Sequence, residues 1–369
     1  METNLLGMVP GIIDAHLHQW DPLATPREAS SVARVYRLAP KVMERLAPYL
    51  IDKGSLDFMI TPRHVLQPYL SSHFKKDSDE TIAAVGVPVD GFVHVEAGWH
   101  SSDPTQETQW LESLVLDQVN TPKMFAIVGH ADPCAANFAQ VLDAHKKASN
   151  RFKGIRYLTS WHKDKKVKRW APHEGVMTSP KFLNGFEALA NRNLTFDAYV
   201  YSAQLKEVFT LAKTYPETTI VLDHYASPVG SLGPMGSDTG KTKAEREIIF
   251  DKWRDDLALL AECANVISKQ SIFPAMLGIK QQGIGRAALA ELVAPMVEHA
   301  AQVFGRKRMM FGGNYPVDKP IVPYGTAVGV LADILAQYGE GMLSSVFRET
   351  AINVYGLDVK NTQIAGALR

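Results

Sequence analysis

The chain has 369 residues, 46% of them hydrophobic and 21% charged, which supplies a large core and too little unbalanced charge for a disordered polymer. Lysine plus arginine and aspartate plus glutamate both number 39, so no net field gathers nucleic acid or an anionic membrane surface. The start METNLLGMVPGIID is not a leader pattern, no stretch approaches the roughly 20 apolar residues of a membrane span, and Cys134 and Cys263 make no disulfide framework. The expectation is a cytoplasmic protein that acts on a small molecule, with neither nucleic acid nor membrane as partner.

Short apolar runs bounded by turn residues recur along the chain as GIIDAHLH (11–18), GFVHVEAG (91–98), KMFAIVGHA (123–131), FKGIRYLTS (152–160), LTFDAYV (194–200), TIVLDH (219–224), NVISKQS (265–271) and RMMFGGNYP (308–316). They lack strict alternation, as strands covered on both faces do. Between them lie segments with helical spacing, among them TQETQWLESLVLDQV, NFAQVLDAHKKA and SAQLKEVFTLAKTY, several opened by Ser, Thr or Asn caps. Eight strands alternating with helices, with no dinucleotide or phosphate fingerprint, predict a closed (β/α)8 TIM barrel spanning residues 1–369 as one domain. Residues 22–90 break the alternation. VARVYRLAPKVMERLAPYL and TPRHVLQPYLSSHF read as helices inserted in the first βα loop, at the catalytic end, where they form a lid, a pocket wall or a contact between copies of a homo-oligomer. The Gly- and Ser-rich excursion 227–243 is a second long loop.

Asp14-Ala15-His16-Leu17-His18 closes the first strand, and residues two apart on a strand share a face, so both imidazoles turn to the barrel mouth. There they can share a metal ion or clamp a substrate oxygen. His224 closes the sixth strand and comes across the mouth toward them, giving three candidate ligands. Asp223, one residue earlier, is expected to point away and serve packing.

IIDAHLHQWDP at the first strand, VHVEA at the second, GIR at the fourth, LDH followed by SP at the sixth and MFGGNYPVDK at the eighth together resemble the amidohydrolase-related family of metal-dependent barrel hydrolases, which includes sugar lactonases and 2-pyrone-4,6-dicarboxylate lactonase. The resemblance covers nearly the whole chain and implies that His224 belongs to the active site. Asn314 stands where many members carry an aspartate that binds metal and takes the proton of the attacking water, and the fifth strand lacks a histidine that completes the metal shell in many relatives. An amide is no general base, so that proton must go elsewhere or the reaction must not need the step. Three histidines still suffice for zinc or manganese, while some relatives work without metal, and both readings stay open.

Without metal, positive charge comes from Arg156, whose fork can hold a carboxylate or polarise a carbonyl, unless it pairs with Glu96 or Asp197. Glu96 is the preferred stand-in for the missing base. Trp99, His100, Trp161, His162 and Tyr201 lie just past strand ends and suit a flat or cyclic substrate, and Lys269 matches a family strand-seven lysine. Asp318 and Lys319 pair with each other or with the lid.

The resulting expectation is a hydrolase that opens a lactone or similar cyclic ester or amide by water attack on a polarised carbonyl. The alternatives are a decarboxylase of an aromatic or unsaturated acid and, in another class, a catalytically inactive barrel.

Overall fold

The structure is a computed structural model that describes residues 2–115 and 120–359. Strands β1 (Ile12–Leu17), β2 (Val89–Val95), β3 (Lys123–His130), β4 (Phe152–Leu158), β5 (Thr195–Tyr199), β6 (Ile220–Leu222), β7 (Val266–Gln270) and β8 (Met309–Phe311) pair in parallel in sequence order. A parallel bridge between Leu17 and Tyr315, and the amide of Asn314 bonded to the His16 carbonyl at 2.8 Å, bring the last strand back to the first. This is the expected TIM barrel. The interior is filled by Ile13, Ala15, Val93, Val95, Ala126, Val128, Val221, Ile267 and Met310, each valine, isoleucine or methionine contributing about 1.5–3 kcal/mol on burial. Two residues farther along β6 and β7, on the same inward face, Val221 gives way to Asp223 and Ile267 to Lys269. The apolar interior thus ends in a charged layer at the carboxyl ends of the strands.

In the first βα loop, α1 (Ser30–Leu38), α2 (Pro40–Leu50), α3 (Lys53–Met59), α4 (Ser71–Ser78) and α5 (Glu80–Val85) fill the insertion. The single helix expected over VARVYRLAPKVMERLAPYL is broken at Ala39 (φ −142°), because Pro40 lacks an N–H and disfavours helical backbone before it. TPRHVLQPYLSSHF is helical only from Ser71. Ahead of it Tyr69 forms an antiparallel bridge with Trp20, closing the insertion on itself. The seven-residue α3, capped by Asp52, is too short to show a period in the sequence.

The barrel is completed by α6 (Thr105–Val115), α7 (Phe138–Ala148), α8 (Pro180–Ala190), α9 (Leu205–Thr214), α10 (Lys243–Ala261), the short α11 (Pro274–Leu277), α12 (Arg286–Phe304), α13 (Tyr324–Leu335), α14 (Glu340–Ser344) and α15 (Thr350–Tyr355). The expected extension of α6 through residue 119 runs into residues outside those described. No helix among the described residues is long and apolar enough to cross a membrane.

Helix α3 lies over the barrel mouth. Phe58 meets the ring of Phe273 at 5.5 Å and that of Trp170 at 5.6 Å. Lys280 binds Asp57 at 2.7 Å, and Lys168 donates to Ser55 at 3.0 Å. Lys319 binds Asp77 of α4 at 2.7 Å, so it pairs with the insertion, whereas Asp318 accepts from Asn314 at 2.9 Å.

Candidate active site

Strand β6 ends at Leu222, and His224, Tyr225, Ala226 and Ser227 then follow one another in the left-handed region (φ 52°, 56°, 56° and 31°). Such backbone costs roughly 1–2 kcal/mol per non-glycine residue and persists where the surroundings impose it. Asp223 keeps the inward face of Val221, and the left-handed turn that begins at His224 brings the next side chain into the same space. Asp223 therefore does not point away as expected but faces the same space as His224.

There the carboxylate of Asp223 lies 3.3 Å from Nδ1 of His16, and donor atoms of His16, Asp223 and His224 all fall within 4.8 Å of one another. The His16 and His224 rings are 4.6 Å apart. His18 stands beside this cluster, its ring 5.0 Å from that of His16, with Nδ1 turned to the Val95 carbonyl at 2.8 Å.

Two cations flank the cluster. Lys269, fully buried, binds Asp197 and comes within 3.3 Å of His16 Nδ1 and 3.4 Å of Asp223. Arg156 gives Nε to Glu96 at 2.9 Å and Nη2 to the Glu96 carboxylate and carbonyl at 2.7 and 2.8 Å. Its Nη1 faces His16 Nε2 at 3.3 Å and Asp223 at 3.9 Å. Most of the fork is thus committed to Glu96, the ion pair that the sequence held open.

Burial keeps the imidazoles neutral. His16 and His18 are held well below the usual histidine value, first by desolvation, and His224 is lowered to about 3 by desolvation, opposed by Asp223. Asp223 stays ionised, held well below the carboxylate range by Lys269 and His16 against the cost of burial. Desolvation pushes Glu96 up, but Arg156 outweighs it and brings the pKa to about 2, leaving a weak base. Asp197, raised by desolvation to about 6, lies beneath Lys269, where Tyr355 donates to it at 3.2 Å.

Asn314 has φ 53°, a conformation that asparagine tolerates better than most residues. Its Nδ2 is fixed by Asp318, whose other oxygen accepts from the Phe273 amide at 3.2 Å.

The rim residues divide. Trp99 is half-buried and packs on Trp110 of α6, His100 is exposed, and Trp161 lies under Arg169. His162 is half-buried, 6.2 Å from the buried Tyr201, whose hydroxyl donates to the Lys168 carbonyl at 2.6 Å.

Residues that sequence reasoning passed over complete the wall. Tyr199 sits 5.7 Å from the His224 ring, and Phe273 sits 4.9 Å from it. Tyr199 was accessible from the pattern DAY, which puts it on the face of Asp197, whereas Phe273 follows β7 in a left-handed conformation (φ 45°) that no local signal announces. Asp14 accepts from the amides of His16 and Gly313 at 2.8 Å and from the Tyr324 hydroxyl at 2.7 Å, fixing β1 against the end of β8.

The amidohydrolase family profile matches residues 13–357. The chain belongs to the amidohydrolase family. Among its relatives, a Sinorhizobium fredii protein named uncharacterized protein y4mH is 30% identical over 264 residues, 71% of this chain and 79% of that protein. An L-fucono-1,5-lactonase of Burkholderia multivorans is 23% identical over 260 residues, 68% and 77% of the two chains. Among solved structures, a Burkholderia multivorans amidohydrolase crystallised with HEPES aligns at TM-score 0.68 and 18% identity over 94% of this chain and all of that one, and a second crystal form with zinc aligns at 0.67. The family makes this chain a hydrolase, as its sequence motifs implied.

Proposed function

We propose that this amidohydrolase opens a lactone, with water attacking the ring carbonyl beneath the insertion. The observation that carries the reading is the buried set of His16, Asp223 and His224 between Arg156 and Lys269, at the carboxyl ends of the strands, where barrel enzymes keep their catalytic groups. The resemblance to L-fucono-1,5-lactonases supports the substrate class.

Developing negative charge on the carbonyl oxygen is stabilised by the free edge of Arg156, whose Nη1 already points into the cluster. Lys269, fixed by Asp197, holds Asp223 ionised and closes the site from below. With no metal bound, His224 takes the proton of the attacking water, since Asn314 is an amide and Glu96 is neutralised by Arg156. A pKa of about 3 leaves His224 unprotonated at neutral pH but a weak base, which suits a strained ester better than an amide. Tyr199 and Phe273 hold that ring from two sides.

The donor set also fits a divalent ion. Both Asp223 oxygens and Nδ1 of His224 are buried without a hydrogen-bond partner in the protein, and all three donor residues converge. Zinc or manganese held by His16, Asp223 and His224 would supply Lewis acidity toward the carbonyl.

The test is acid release from a panel of five- and six-membered lactones, L-fucono-1,5-lactone among them, followed by pH indicator with carbon dioxide monitored in parallel. Acid release without carbon dioxide, lost in His224→Ala, supports the reading. Carbon dioxide from an aromatic acid with no lactone opened replaces it with decarboxylation.

A further inference from the structure

Arg27, in the loop between β1 and α1, is a half-buried guanidinium with five N–H donors and, among the described residues, no hydrogen-bond acceptor or ion-pair partner. It does not dangle. Its amide donates to Ser30 at 2.9 Å, and the neighbouring Pro26 carbonyl accepts from the His100 amide at 2.9 Å, tying this stretch to the loop after β2. The guanidinium carbon lies 4.9 Å over the Trp20 ring, which is itself stacked on His18 at 6.2 Å. A methyl group at Gly98, just beyond β2, would come within 3.8 Å of Nη2 of Arg27. The fork therefore sits over the ends of β1 and β2, two stacking steps from a histidine of the candidate site.

The two acids that act on it electrostatically are already engaged. Glu96 holds Arg156 and the Gly98 amide, and Glu107 accepts from the Ala97 amide at 2.9 Å. Burial lowers the pKa of Arg27 from its ordinary value, opposed by Glu107 and Glu96, and a guanidinium stays charged at neutral pH. A half-buried guanidinium with no acceptor in the protein is available to a ligand, and a planar fork is the side chain best matched to a carboxylate.

We infer that Arg27 binds a carboxylate carried by the substrate, so that the favoured lactones are acidic rather than neutral. Arg156 cannot take this role while its fork holds Glu96, which separates the two arginines into an anion anchor at the rim and a carbonyl-facing group within. The inference rests on the lactonase reading for the ring but on Arg27 alone for the anion.

The experiment compares 5-oxotetrahydrofuran-2-carboxylate with its carboxamide, the same lactone ring with and without the charge, in wild type and Arg27→Met. A charge-assisted contact of this kind predicts that the ratio of kcat/KM for carboxylate over carboxamide falls by about 30-fold or more in the variant, mainly through KM. Tetrahydrofuran-2-carboxylate, which has no carbonyl in the ring, is titrated calorimetrically against both proteins. If neither lactone is opened, the panel of lactones decides the ring chemistry, and this titration alone decides Arg27. Binding by wild type that is lost in Arg27→Met upholds the anion anchor, while equal affinity, or no binding by wild type, overturns it. Arg27→Lys, which keeps the charge and loses the fork, should show an intermediate loss and carries the test if the methionine variant does not fold.

Discussion

Nη1 of Arg156 lies 3.3 Å from Nε2 of His16. A guanidinium donates and never accepts, so Nε2 faces it as the acceptor, while Lys269 and Asp223 both approach Nδ1 on the other side of the ring. Lys269, 3.4 Å from Asp223, holds that carboxylate ionised against the cost of its burial. Arg156→Lys keeps the charge but cannot hold Glu96 and His16 together. Activity toward the best lactone should drop by about 100- to 1,000-fold, as loss of one oxyanion donor does. Steady-state kinetics check this, and turnover within threefold of wild type removes Arg156 from the polarising role.

Stability should respond to pH through the buried histidines. His224 has a folded pKa of about 3 against 6.5 in the unfolded chain, so the unfolded state binds more protons in that window and stability is lost as pH falls through it. His16 and His18 act in the same direction. Asp14 and Asp197, raised from 3.8 to about 6, oppose them, because their protonated forms are favoured in the fold as pH falls below 6. Thermal melts from pH 7 to 4 should show a falling Tm in wild type and a shallower fall in His224→Gln, whose side chain does not titrate. Parallel slopes for the two proteins would contradict the assignment.

Metal content separates two sources of polarisation. Protein purified without chelator or added metal should carry about one zinc or manganese per chain by plasma mass spectrometry, and Asp223→Asn should carry much less, since it removes the one anionic donor of the set. Absence of metal with activity that survives chelator would leave Arg156 and Lys269 as the sole electrophiles.

Asp14 offers a structural prediction. One of its oxygens accepts two buried amides and the other the Tyr324 hydroxyl. Asp14→Ala strands all three donors and should destabilise by about 3–5 kcal/mol, while Asp14→Asn keeps an acceptor for the amides and should cost about 1 kcal/mol. Urea unfolding of the two variants measures the difference, and similar losses would show that the carboxylate does not fix β1 against β8.

Much of the barrel was legible because its signals are local: eight apolar runs, helical spacing between them, and His16 and His224 at strand ends. The misreadings have a common cause. Asp223 falls on the opposite face from the one expected because alternation counted back from His224 fails where a left-handed turn begins at that residue, and nothing in VLDHYASP marks four successive residues of positive φ. Arg27 and Phe58 belong to an insertion whose path is set by the Trp20–Tyr69 bridge and by long-range contacts such as Lys280 with Asp57, which no spacing rule encodes. Arg156 with Glu96 was weighed in the sequence only because both lie at strand ends; register alone could not say that the pair would form.

Tyr355 reaches the charged layer from the opposite end of the barrel, its hydroxyl on Asp197 and its ring 5.7 Å from the ammonium of Lys269. The floor of the enzyme is therefore wired to its working end through Tyr355, Asp197 and Lys269. An engineer who trims or replaces α15 to improve expression would be editing the electrostatics of catalysis, at a distance where sequence neighbours give no warning.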